Sequence, residues 1–237
     1  MKLRRSRVLS FSGIDGAGKS TQIEALQSYL RDNGHQFRLF TFWDDVVAFS
    51  KYREHVSLRA FKGEKGVGSP DRPVARRDKN VGSWYVVLAR LFLYVIDALR
   101  LSAFVTMRRE DVAFVIFDRY IYDELANLPL RHWPVRLYVQ SLLRVVPKPD
   151  LAFLLDADPE AAILRKPEYP LDFVRRNRNA YLTLADVAGM TVVPASPILE
   201  VSNAIRQSVA SLPGDAASDL SSCRHALPFG SAKTHNG

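Results

Sequence analysis

Apolar residues fall into short blocks along the chain, and the spacing inside each block changes in a regular way. Val8–Ser12 is a short, mostly apolar run that leads into a glycine-rich loop. From Thr21 to Leu30 the spacing becomes helical, with Ile23, Leu26 and Leu30 at i, i+3 and i+7, and Asn33-Gly34 supplies a stop. Phe37–Trp43 reads as a second strand. Asp44–Ser83 has no sheet pattern and is rich in Lys, Arg, Gly and Pro, which predicts a long exposed or ligand-closed loop. A helix is predicted over residues 84–107. Ala113–Phe117 ("AFVIF") and Leu151–Leu155 ("LAFLL") are unbroken apolar runs, as expected of strands covered on both faces. Between them, Tyr120–Leu128 and Val135–Val145 have helical character. Asp158-Pro159-Glu160 reads as a helix start, with Asp as cap and Pro in the first turn. Thr191–Val193 and Ile198–Leu212 predict a last strand and a last helix. Strands alternating with helices imply a parallel α/β sheet with helices on both faces. Pro213–Gly237 loses periodicity and collects Ser, Gly and Ala, so a mobile tail is expected there.

Composition narrows this picture only a little. A chain of 237 residues, 47% hydrophobic and 24% charged, suits one soluble α/β domain with a tail. The net charge of +8 favours anionic partners but does not choose among nucleotides, phosphorylated metabolites, nucleic acid and membrane surfaces. One cysteine, Cys223, excludes an internal disulfide and is compatible with a reducing, cytoplasmic setting. The basic start "MKLRRSR" is followed by no long apolar core, so a signal peptide is not expected. Trp84–Met107 is almost continuously apolar, yet Arg90, Asp97 and Arg100 leave charge-free runs far shorter than the roughly 20 residues of a span. A buried helix of a soluble protein is the expectation, against a membrane-associated one.

The chemistry enters with "GIDGAGKS", where Gly13, Gly18, Lys19 and Ser20 fit G-x-x-x-x-G-K-[ST] between a predicted strand and a predicted helix. Such a loop wraps a phosphate chain with backbone N–H groups, and the helix amino terminus adds favourable potential for negative charge. Lys19 would reach the β- and γ-phosphates, and Ser20 would offer its hydroxyl to Mg²⁺. The polyphosphate-binding set is therefore Gly13, Asp15, Gly16, Ala17, Gly18, Lys19, Ser20 and Thr21. Asp118-Arg119-Tyr120 follows the "AFVIF" strand, at the sheet edge where ligands bind in open α/β folds. Asp118 there can hold metal-bound water or accept a proton, and Arg119 can grip a second phosphate.

With those residues in place, the chain resembles the thymidylate kinase family of nucleoside monophosphate kinases. "GIDGAGKSTQ" is similar to that family's phosphate loop and "DRY" to its second motif. "FVRRNRNAYLTLA" (Phe173–Ala185) resembles its segment after the lid, and "VVPAS" resembles its last strand and adenine-side loop. The resemblance implies a three-layer P-loop kinase fold over residues 1–212, with a five-stranded parallel sheet and a short lid at about 164–178; a basic insertion-like loop at about 62–82 departs from it. The resemblance implies ATP and Mg²⁺ as donor and cofactor, with Lys19 and Ser20 on the phosphates and the metal. It places Asp15 near the acceptor's sugar, Arg119 on the acceptor phosphate and Asp118 on metal and water. Ala17 stands where some relatives carry an arginine, so the lid would supply the catalytic cation, Arg165 first and Lys166 next. Arg176 and Arg178 are further lid candidates, although they and Arg175 equally suit the solvated face of a helix. Relatives commonly pair, which makes a homodimer an expectation by resemblance.

Departures from the family pattern gather on the acceptor side. Trp43-Asp44-Asp45-Val46 replaces an Arg-Glu-Pro-Gly stretch; its acidic pair either organises water or sugar, or forms an ordinary turn. Arg90, Tyr94 and Asp97 make a polar stripe on an apolar helix, facing either a cavity or its own salt bridge, while Ala98 falls where a base-reading arginine belongs. With Tyr120 and Arg119 these are the acceptor-site candidates. Arg72, Arg76, Arg77 and Lys79 lie in the basic loop, which either embraces a second anionic group or is simply solvated. Asp123 and Asn127 stand where Ser and Tyr are common. Three readings follow: a kinase acting on dTMP or a related nucleotide, a kinase of the same fold acting on a nucleoside or other small metabolite, and an ATP-binding regulator without transfer. Direct nucleic-acid binding is not expected, since no recognition-helix or aromatic RNA-binding signature appears.

Overall fold

The computed structural model describes residues 6–47, 84–108 and 112–213. The expected basic loop at 62–82 and, apart from Pro213, the expected tail 213–237 lie outside the described residues. Five strands, β1 (Arg7–Ser12), β2 (Phe37–Thr41), β3 (Phe114–Asp118), β4 (Leu151–Leu155) and β5 (Thr191–Val193), form one sheet in the order β2-β3-β1-β4-β5. Every neighbouring pair is parallel. The carboxyl ends of all five therefore share one edge. The register sets Phe11 opposite both Asp118 and Phe153, so the residues that follow β1, β3 and β4 emerge side by side.

Alternate strand residues feed two cores, one on each face. Leu9, Phe11, Phe114, Ile116, Phe153 and Leu155 pack against helices α1 (Lys19–Asp32) and α7 (Ile198–Ala210). Val8, Val115, Phe117, Ala152 and Leu154 meet α2 (Trp84–Arg108), α4 (Trp133–Val145) and α6 (Leu171–Ala188). Tyr94, Ala98, Leu101 and Val105 of α2 recur at i, i+4, i+7 and i+11, and all are buried. This is why α2 tolerates so few charges while remaining a core helix. Among the described residues no helix is long and apolar enough to cross a membrane.

Three local expectations change. Strand β2 ends at Thr41 rather than Trp43, because a single π-helical turn, Phe42–Val46, follows it. That turn buries Phe42 and Val46, and the Asp45 carboxylate accepts from the Thr41 N–H at 2.7 Å, taking the donor at the strand end. The helix expected at Tyr120–Leu128 shrinks to one turn, α3 (Tyr122–Leu125), because Asp123 accepts the Tyr120 N–H and Pro129 disfavours helical geometry at Leu128. The stretch 164–178 is not a continuous loop. Helix α5 (Pro159–Arg165) runs into it, five residues turn the chain, and α6 starts at Leu171, so Arg175, Arg176 and Arg178 are helical. The helix start at Asp158 is as expected: its carboxylate accepts from the Ala161 N–H at 2.9 Å.

Candidate active site

The loop between β1 and α1 is shaped by its glycines. Gly16 has φ +82°, and a Cβ there would lie 2.4 Å from the Ala162 carbonyl oxygen, so only glycine fits against α5. Gly18, at φ +85°, faces open space instead, which leaves the first turn of α1 bare for a ligand. Among the described residues no side chain caps that turn, and Ser20 and Thr21 are exposed, so its amide donors face the cleft. Lys19 is buried. Its ammonium donates to the carbonyls of Gly13 at 2.8 Å and Ile14 at 2.9 Å. Burial, and next the nearby Arg119 charge, bring its pKa down to about 8, against the pull of Asp123, Asp15 and Asp118.

Asp118 closes β3 and is half-buried, with one carboxylate oxygen buried and, among the described residues, without a hydrogen-bond partner. An orphaned acceptor beside the phosphate loop suits a water held by a bound metal. Among the described residues no cluster of three acidic, histidine or cysteine ligands exists. A Mg²⁺ ion that keeps most of its waters and leans on substrate phosphates needs none, so Ser20 and Asp118 fit such an ion.

Arg119 adopts φ +67°, a left-handed backbone that is costly for a residue with a side chain. Its N–H donates to Phe11 O at 2.9 Å, tying this strained residue to the end of β1. The guanidinium then reaches Asp15 of the phosphate loop at 2.5 Å and Asp123 at 3.1 Å. These two carboxylates raise its pKa despite its burial, so it stays cationic, and Arg119 in turn lowers that of Asp15. The cationic group after β3 and the loop after β1 thus meet at one edge of the sheet.

A second cleft opens on the other side of the loop, between Ala17, Gly18 and Thr21 and the segment Val193–Ser196, with Arg165 at its rim. Gln22 braces it from below, donating to Ile198 O at 3.1 Å and accepting from the Ser202 hydroxyl at 2.7 Å. Arg165 is exposed and, among the described residues, donates only to Ala161 O of its own helix, at 3.1 Å. Lys166 pairs with Glu168 at 3.1 Å. Arg178 forms a two-pronged bond to Asp156, both contacts at 2.6 Å. Arg175 pairs with Glu160 and Asp172. Arg176 is exposed and makes no ion pair among the described residues.

The acceptor-side expectations fare differently. Tyr120 turns inward: its ring is fully buried and its hydroxyl donates to Pro147 O at 2.6 Å. Tyr94 and Asp97 lie on the buried face of α2, and the Arg90 side chain lies outside the described set. Asp44 and Asp45 are exposed on the π-helical turn, and Asp45 is spent on the Thr41 N–H. Asp123 has a role its place in the sequence does not announce. It is buried and accepts from Ser12, Arg119, Tyr120 and Tyr181. The available signal is an acidic residue four positions after Arg119 in the apolar run "YIYDEL".

No family model matches the chain. A curated relative from Methanothermobacter thermautotrophicus, described as "Probable thymidylate kinase", is 31% identical over 195 residues, covering 79% of this chain and 85% of the relative. One of the same description from Archaeoglobus fulgidus is 25% identical over 211 residues, covering 86% and 95%. Among solved structures, thymidylate kinase from Ehrlichia chaffeensis is similar in fold, with a TM-score of 0.53 at 18% identity over 87% of this chain and 99% of that one.

Proposed function

The chain belongs to the thymidylate kinase family of ATP-dependent phosphotransferases, and we propose that it moves the γ-phosphoryl group of ATP onto the phosphate of dTMP or a closely related nucleoside monophosphate. The observation that carries this reading is the 2.5 Å contact between Arg119 and Asp15. It sets a phosphate-binding cation beside the loop that cradles a triphosphate, the arrangement an in-line transfer between two phosphates requires.

Each group has a task in that reading. The amides of residues 16–21 and the Lys19 ammonium hold the donor's β- and γ-phosphates. The cleft beside Val193–Ser196 takes the donor base. Arg119 holds the acceptor phosphate with one oxygen aimed at the γ-phosphorus, and Asp15 turns to the acceptor's sugar. The acceptor oxygen forms the new P–O bond as the bond to the β-phosphate bridging oxygen breaks, and ADP leaves with that electron pair. Arg165, swung in from the rim, balances charge on the transferring group. Mg²⁺, held through Ser20 and by water on Asp118, would supply further neutralisation of the phosphate oxygens when bound. Residues 1–212 act as one kinase domain, and the turn at 166–170 with its flanking helix ends is the lid that excludes water.

The test is acceptor-dependent ADP release with dTMP, dUMP, UMP, CMP and thymidine, with Lys19→Ala as the control. Release with dTMP well above the others, lost in the control, is expected. A second reading, an acceptor with a neutral hydroxyl, draws on the two carboxylates that already flank Arg119. Turnover with thymidine and none with any monophosphate would select it. ATP binding with no turnover on any acceptor would replace both by a nucleotide-binding regulator.

A further inference from the structure

Arg119 is gripped by two carboxylates that differ sharply in their surroundings. The Asp15 side chain is 25% exposed, as is Arg119 itself, whereas Asp123 is 1% exposed. Asp15 sits on a loop that must accommodate a ligand. Asp123 sits on α3 beneath the site, and every one of its acceptor positions is taken. One oxygen accepts from Arg119 at 3.1 Å and the Tyr181 hydroxyl at 2.7 Å; the other accepts from the Ser12 hydroxyl at 2.7 Å and the Tyr120 N–H at 3.1 Å.

Those four donors come from β1, the turn after β3, and α6. The carboxylate therefore holds Arg119 at both ends: the guanidinium directly, and the peptide just after the left-handed residue through the Tyr120 N–H. A left-handed arginine persists only if its neighbours over-determine it. The Phe11 carbonyl and Asp123 do so from opposite sides. Burial and the Asp123 charge raise the Tyr181 pKa well above 10, so this hydroxyl stays a donor at all working pH values. The orientation of the network is thereby set.

Resting on the kinase reading above, we infer that Asp123 is a positioning residue for the acceptor: it fixes the Arg119 guanidinium from the protein side and leaves the cleft side for the incoming phosphate. A serine at this position could not do this. It has no charge to offset the buried guanidinium and too short a side chain to meet four donors spread over three elements.

The experiment compares wild type, Asp123→Asn and Tyr181→Phe in three readouts: KM for dTMP, Kd for ATP, and the NMR resonances of the Arg119 guanidinium. Losing a charge-assisted bond predicts a dTMP KM about 10- to 100-fold higher in Asp123→Asn, with ATP Kd within about twofold. Tyr181→Phe, which keeps charge and nearly all volume, predicts a rise of about two- to tenfold. Separate, slowly exchanging Nη–H signals in wild type should merge in Asp123→Asn. Equal damage to ATP and dTMP binding would overturn the inference, as would wild-type KM and an unchanged guanidinium spectrum. If Asp123→Asn does not fold, Tyr181→Phe decides on the same readouts. If wild type turns over no monophosphate, the kinase reading fails, while the guanidinium signals still decide whether Asp123 positions Arg119.

Discussion

The two ends of the cleft that we propose for donor and acceptor are built in opposite ways. Donor groups come from one contiguous stretch, residues 13–21, whose glycine geometry and helix start bring amides and Lys19 together locally. Acceptor groups are assembled from distant segments, with Asp15, Arg119, Asp123 and Tyr181 meeting only because β1 and β3 pair and α6 packs beneath them. The first end needs a correct sequence of dihedral angles. The second needs a correct tertiary structure, and it invests buried charge to hold one strained arginine. The contrast separates a motif fixed by local dihedral angles from a cluster that exists only because distant segments pair.

The sharpest way to break this contrast lies at the rim. Arg165→Ala should lower kcat by about 10³-fold or more while leaving dTMP and ATP affinities nearly unchanged, as expected for a cation that acts on the transferring group. Steady-state kinetics checks it, and a loss below about tenfold would pass the role to Arg176, which makes no ion pair among the described residues. Next in size, Arg119→Lys keeps a charge but loses the fork that spans two carboxylates and a phosphate. Acceptor KM should rise about 10- to 100-fold with ATP Kd unaltered. A matching rise in ATP Kd would show that the two ends are not separable.

The effect of pH follows from Lys19 and has two opposite signs. Its folded pKa of about 8 lies below the ordinary 10.5, and bound phosphates draw it upward again. Nucleotide binding should therefore take up a proton above pH 8, with affinity falling by at most about tenfold per pH unit. Calorimetry in buffers of different ionisation enthalpy measures that proton. For folding without ligand the unfolded chain holds more protons than the folded one between 8 and 10.5, so this group's contribution to stability rises with pH over the same window. Chemical unfolding at pH 8 and 10 reads the slope. The smallest effect is expected at Arg175→Ala. Its ion pair with Glu160 is on the surface, and turnover and unfolding midpoint should stay close to wild type.

Much of the architecture can be read from apolar spacing. Leu151–Leu155 and Thr191–Val193 are strands with the expected bounds, and Asp158 caps α5 as its sequence context implies. The glycine loop between strand and helix was legible for the same reason, since its geometry is a property of neighbouring residues. Arg119 was legible as a candidate from its place at a strand end. What local pattern does not show shares a cause. Tyr120 looked like a ligand contact because it follows Arg119, but the left-handed turn at Arg119 points its ring into the core. Arg178 looked like a free lid cation, but Asp156, 22 positions away, takes both of its prongs. Asp123 looked like a departure from pattern, and its four donors come from segments up to 111 positions distant.

The amino-acid order alone determined the alternating strands and helices, the phosphate-cradling loop and the depletion of charge along α2, because each depends on spacing within a turn or two of chain. Which carboxylates grip Arg119, which arginines remain available and which aromatics face inward were decided only when the strands paired and α6 closed over their ends. Ionic and hydrogen-bond partners are chosen by distance in space under the cost of burying unmatched charge, and no local pattern encodes that distance.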